Sequence, residues 1–305
     1  MQSIIELPQG AIEVRDTNPD GPRDAIFFVH GLLVDGTLWD GVVERLERDH
    51  RCVVPDLPLG SHRTAMNADA DLSPRGVARL IAALLEAMDL DNVTVVANDT
   101  GGAITQILVT EHPQRIGRLV LTPCDAFDNF LPPMFKPLQW IARIPGSVQP
   151  IVQWLRLKPL RRLPMAYGRV AKHAPPQELL SRWLAPATRD GGVRRDVRKL
   201  LRGIDSADTL AAAERLKDFD RPALLAWAPE DRTFPIEHAH RLAALLPDSR
   251  VVEIPDSWAF APLDNPGAVA GAIADFLQAK AASSSGFTAP TGTEPLTPGK
   301  SRIAS

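Results

Sequence analysis

The sequence predicts an α/β protein: a doubly wound, mostly parallel sheet with a helical cap inserted into it. Short apolar, often β-branched runs alternate with stretches of helical apolar periodicity over residues 1–122 and again over about 218–280, the rhythm of a parallel sheet with crossover helices. Between 123 and 217 the strand pattern vanishes, and Pro-broken helical segments take its place.

The elements follow in order. IIEL and AIEV read as strands, and AIFFV (25–29) as a third. A helix over about 37–48 leads to the strand CVVP (52–55), and a helix over about 74–89 leads to VTVVA (93–97). Next come a helix over 101–112 and the strand RLVLT (118–122). FKPLQWIARI, IVQWLRL and PQELLSRWL supply cap helices, in which Trp140, Trp154 and Trp183 are expected to pack a small core above an apolar pocket. The core resumes with ALLAW (223–227), a helix over 236–246, VVEI (251–254) and a last helix over about 266–279. Residues 281–305 are rich in Ser, Thr, Pro and Gly and predict a disordered tail, because so little apolar surface cannot offset the entropy of ordering.

Composition narrows the function classes. At 305 residues and 45% hydrophobic content the chain can bury a large core. A net charge of −3 provides no global attraction to nucleic acid or to a membrane, so any basic patch is local. One such patch lies at 150–202, with thirteen Lys/Arg against three acids, read as a solvated helix face or as a site for an anionic substrate or partner. Cys52 and Cys124 are too few for a disulfide framework and lack metal-ligand spacing, which fits a reducing cytoplasm. The start, MQSIIELPQG, has no basic n-region with a long apolar core, and no apolar run reaches 18 residues. The expectation is a cytoplasmic protein with a small-molecule substrate and no metal or organic cofactor.

The chemistry concentrates at VTVVANDTGGAITQ (93–106). A buried strand runs into a turn of small residues, Ala97, Gly101 and Gly102, around Asp99, and a helix follows. Such a turn forces its central side chain out above the sheet edge. The plainer reading is that Asp99 caps the helix.

Together with VHG (29–31) and APED before Phe234-Pro235, this turn resembles the α/β-hydrolase fold over residues 1–280. An acid at the elbow resembles the branch of haloalkane dehalogenases and epoxide hydrolases. The resemblance implies that Asp99 attacks an electrophilic carbon and forms an alkyl ester, and that the N–H groups of Leu32 and Thr100 form the oxyanion hole. It also implies that Asp231 is the acid that orients a histidine, with neighbouring Glu230 the alternative. The histidine itself departs from the pattern: the sequence reads VVEIPDSWAFAP, Ala259 stands in its place, and 251–305 contains no His. Trp258 and Ala259 are then pocket candidates. His30 belongs to the VHG turn, His62 and His173 are expected on an exposed loop and in the cap, and Asp125 in PCDAFDNF is a candidate auxiliary carboxylate or a capping residue. Thr100 occupies the place of the dehalogenase halide-binding Trp, and Tyr167 is the lone tyrosine where epoxide hydrolases use two. Loss of the base predicts alkylation without release. The alternatives are a non-hydrolytic lyase, isomerase or cyclase using Asp99 as acid or base, and a ligand-binding pseudoenzyme.

Overall fold

The computed structural model describes residues 1–284. The chain runs β1 (Gln2–Leu7), β2 (Gly10–Asp16), β3 (Ile26–Val29), α1 (Asp40–Leu46), β4 (Cys52–Pro55), α2 (Pro74–Ala87), β5 (Val93–Asp99), α3 (Thr100–Glu111) and β6 (Ile116–Cys124). It continues through α4 (Lys136–Ile141), α5 (Val148–Trp154), α6 (Gln177–Arg189), α7 (Gly191–Gly203) and α8 (Ser206–Arg215). β7 (Ala223–Trp227), α9 (Ile236–Leu245), β8 (Ser249–Glu253), α10 (Ala261–Asp264) and α11 (Pro266–Ser284) complete it.

The eight strands form one sheet in the order β1-β2-β4-β3-β5-β6-β7-β8. β1, β2 and β4 pair antiparallel, and every pairing from β4 through β8 is parallel. β2 alternates strictly between buried and half-buried residues, as a strand wetted on one face does. β3, β4 and β7 are buried at every residue because helices cover both faces, which is why they read as unbroken apolar runs.

Strand order fixes where a ligand can sit. From β3 the chain steps to β4 on one side, then returns to place β5 on the other side of β3. The loops after β3 and β5 therefore leave the sheet in opposite directions and open a crevice at their carboxyl ends. Gly31-Leu32-Leu33 and Asp99 stand at that crevice. α2 starts where Ser73 Oγ accepts the Gly76 N–H and Pro74 fills the first helical position. Its buried face, with Val77, Leu80, Ile81 and Leu84, supports the almost wholly buried α3.

Among the described residues, the stretch between β6 and β7 adds no strand to the sheet. α4, α5 and α7 contribute side chains to the wall of a cavity at the crevice, whereas α8, within the same 123–217 segment, packs against α3. Buried polar contacts hold the inserted helices down. Asp35 accepts from Arg182 Nε (2.9 Å) and Trp183 Nε1 (3.1 Å), and the Tyr167 hydroxyl donates to the Leu33 carbonyl (2.7 Å). Asp196 on α7 faces His62 Nε2 at 3.3 Å and accepts the Met66 N–H.

Two expectations change here. Trp183 is buried against Tyr167 and Phe260, but Trp140 and Trp154 are 71% and 68% exposed. The six-residue α4 buries none of its residues, so it cannot shelter an indole. At the other end, α11 continues through 281–284, where the tail was expected to begin, because Ala-rich sequence favours helix. The remainder of the tail lies outside the described residues.

Candidate active site

β5 ends at Asp99, whose backbone sits at φ 54° and ψ −135°. Holding a non-glycine residue there costs about 1–3 kcal/mol, which the surrounding packing sustains. That packing is close. A Cβ on Gly101 would overlap the His30 carbonyl, one on Gly102 would overlap the Cys124 side chain, and one on Gly31 would overlap the Asp99 carboxylate. Asp99 makes no side-chain cap to α3; instead its Oδ2 accepts the Leu32 N–H at 3.1 Å.

The carboxylate opens into a cavity of about 290 Å³, near the lower end for small-molecule sites. Leu131, Phe135, Leu138, Ile151, Val152 and Phe260 are among its walls, and the ring of Tyr167 adds an aromatic face. Its exposure is thus to an apolar chamber, and burial raises its pKa from 3.8 to about 6 against the opposing hydrogen bonds from Thr100 and Leu32. Thr100, also in the wall, donates its hydroxyl to Asp125 Oδ2 at 3.4 Å. Asp125 is fully buried, and among the described residues its Oδ1 has no hydrogen-bond partner. Burial first, and the charge of Asp99 second, push its pKa well above its ordinary value, which favours the protonated acid.

Asp231 stands apart from this chamber. It accepts the N–H groups of Thr233 (2.8 Å) and Phe234 (3.2 Å), and lines a separate outward-facing depression with Trp258. Burial, followed at a distance by the charge of Asp99, raises it to about 7 against those two hydrogen bonds. Glu230 is exposed and pairs with Lys172 at 2.6 Å. Trp258 and Ala259 were expected in the pocket wall. The turn after β8 places Phe260 there instead, while Trp258 faces the Asp231 side and Ala259 is fully buried.

The histidines also find other partners. His30 donates from Nδ1 to the Gly31 carbonyl and accepts the Leu57 N–H at Nε2, both at 2.9 Å, so it is neutral and structural, not a pocket residue. His62 is buried beside Asp196 rather than on an exposed loop, and His173 pairs with Asp256 at the surface. Among the described residues, no histidine lines the cavity.

Sequence reasoning passed over Asn98. Its buried Nδ2 donates to Thr122 Oγ1 (2.9 Å), the Pro123 carbonyl (3.0 Å) and the Ala259 carbonyl (2.7 Å), which ties the elbow to β6 and to the turn after β8. An amide at the end of an otherwise apolar strand was the available signal.

The model of the alpha/beta hydrolase fold family matches residues 24–266, and the chain belongs to that family. It is similar to haloalkane dehalogenase 2 of Mycobacterium tuberculosis, 26% identical over 83% of this chain and 88% of that one. It is also 23% identical to the uncharacterized hydrolase YugF of Bacillus subtilis, over 84% and 90% of the two chains. Among solved structures, a mutant of DBJA superposes with a TM-score of 0.74 at 18% identity, over 92% of this chain and 99% of the other. A thermophilic esterase from Thermogutta terrifontis gives 0.69 at 21% identity, over 92% and 98%. The protein is a hydrolase-like enzyme in fold and kinship.

Proposed function

We propose that Asp99 is the nucleophile of an enzyme that attacks a small or medium apolar electrophile, an alkyl halide or an epoxide, and that Ala259 leaves the ester intermediate without a base to release it. The hydrogen bond from Leu32 N–H to Asp99 Oδ2 carries this reading. It leaves Oδ1 to attack an sp³ carbon while the electron pair of the breaking bond departs with the halide or stays on the epoxide oxygen. Oδ2 then becomes the ester carbonyl oxygen, already at a donor that would stabilise an oxyanion when water adds. Water addition also requires a proton acceptor, and a methyl group at 259 provides none.

The experiment is intact mass after incubation with a panel of alkyl halides and epoxides. A stable increase is expected, equal to the alkyl group in place of a proton for a halide and to the whole molecule for an epoxide, and absent in Asp99→Asn. Ala259→His should restore release by at least about a hundredfold, the lower range for general-base assistance. Absence of any adduct across the panel, or sustained hydrolysis by the unaltered chain, sinks the reading.

A second reading has an observation of its own. Asp99 titrates near 6, close to neutrality, inside an apolar chamber, which suits proton transfer without hydrolysis. Product that carries no oxygen from labelled water would favour it.

A further inference from the structure

The inserted segment presents a surface that the chemistry at Asp99 does not use. Trp140, Ile144, Trp154, Leu157, Leu163 and Met165 are all exposed. The two indoles alone offer on the order of 300 Å² of mostly apolar surface, and with the other four side chains the patch exceeds what a monomer ordinarily exposes. Trp154, Leu163 and Met165 also line the cavity that reaches Asp99, so part of this exposed apolar surface is the cavity's own rim.

Charge decides what such a surface meets. Between Asp128 and Glu178 the sequence contains no Asp or Glu and eight Lys/Arg, a local +8 within a chain of −3, leaving −11 for the rest. Arg143, Arg156, Lys158 and Arg162 are exposed among the apolar side chains and, among the described residues, form no ion pair; Arg143 lies 5.8 Å above the Trp140 ring. Exposed Trp beside unpaired Lys and Arg, with carboxylates excluded, is the composition of a surface that settles into the headgroup layer of an anionic bilayer. A protein partner would select against Lys and offer acids to pair with these cations. No helix among the described residues is long and apolar enough to cross a membrane, so the contact is peripheral.

We propose that this face docks on an anionic phospholipid surface and that the cavity takes its apolar substrate from that phase. Docking does not depend on the role of Asp99, and it is measured without any reaction. The overall charge gives no reason to expect it; the segregation of charge does.

Flotation with vesicles of phosphatidylcholine, or of phosphatidylcholine mixed equally with phosphatidylglycerol, tests the proposal. The full chain should bind the anionic vesicles preferentially, with a blue shift of tryptophan emission, and raised salt should weaken binding. Each cation near the surface is worth about fivefold in partition, so Arg156→Glu/Lys158→Glu should reduce binding by more than about twentyfold. Trp140→Ser/Trp154→Ser should lose the blue shift, with circular dichroism unchanged. No binding to anionic vesicles at low salt overturns the proposal. Equal binding to both compositions, unaffected by the charge reversal, does the same. A concentration-dependent dimer abolished by Trp140→Ser/Trp154→Ser, without vesicle binding, would assign the patch to a second copy of the chain.

Discussion

Replacing Asp99 with Asn should make the protein more stable, and only in proportion to pH. Burial raises this carboxyl from 3.8 to about 6 in the folded chain. Below pH 3.8 the group is protonated folded and unfolded alike, and it contributes nothing to the pH dependence. Between 3.8 and 6 the unfolded chain ionises while the folded chain keeps its proton, so stability falls as pH rises. Above 6 the loss is constant, about two pKa units, or about 3 kcal/mol at 1.36 kcal/mol per unit. Asn retains an acceptor for the Leu32 N–H and carries no charge to bury. Urea unfolding should therefore show Asp99→Asn gaining about 3 kcal/mol at pH 8 and about half that at pH 5. The corresponding rise in Tm at pH 8 is at least about 5 °C for a domain of this size. No gain at pH 8, or an identical gain at both pH values, would refute the claim that Asp99 is held against its own ionisation.

The same titration governs attack: adduct formation should rise about tenfold per pH unit below 6 and level off above it, as read by intact mass, because only the ionised Asp99 is nucleophilic. Gly31→Ala should lower adduct formation, since its Cβ would overlap the Asp99 carboxylate, and in the Ala259→His chain it should cut release by about a hundred- to a thousandfold, the range for loss of one oxyanion donor, as read by intact mass. Asn98→Ala should destabilise by about 2–4 kcal/mol in urea, because it strands the Thr122, Pro123 and Ala259 oxygens in the core; an unchanged midpoint would mean that these bonds contribute nothing net.

What could be read from the sequence divides along a physical line. β3 and β7 were legible because strands covered on both faces leave uninterrupted apolar runs, and the elbow was legible because Ala97, Gly101 and Gly102 are the sizes that close packing of β5, α3 and β6 permits. These are local constraints, written where they act. The roles of Asn98, Asp125 and His62 were not legible, because each is set by partners 24 to 161 residues away in sequence. An acid looks the same in sequence whether it is an ionised cap or a neutral buried group. Periodicity failed in the inserted helices for a related reason: in pieces as short as α4, it cannot tell which face meets the protein. Trp140 and Trp183 read alike, yet one lies open beside Arg143 and the other sits over Asp35. The long acid-free stretch between Asp128 and Glu178 was visible throughout, but charge segregation acquires direction only once the fold turns those side chains outward, in the same segment as residues that line the cavity. The exposed indoles and the unpaired cations are then one feature, and what binds one must also satisfy the other.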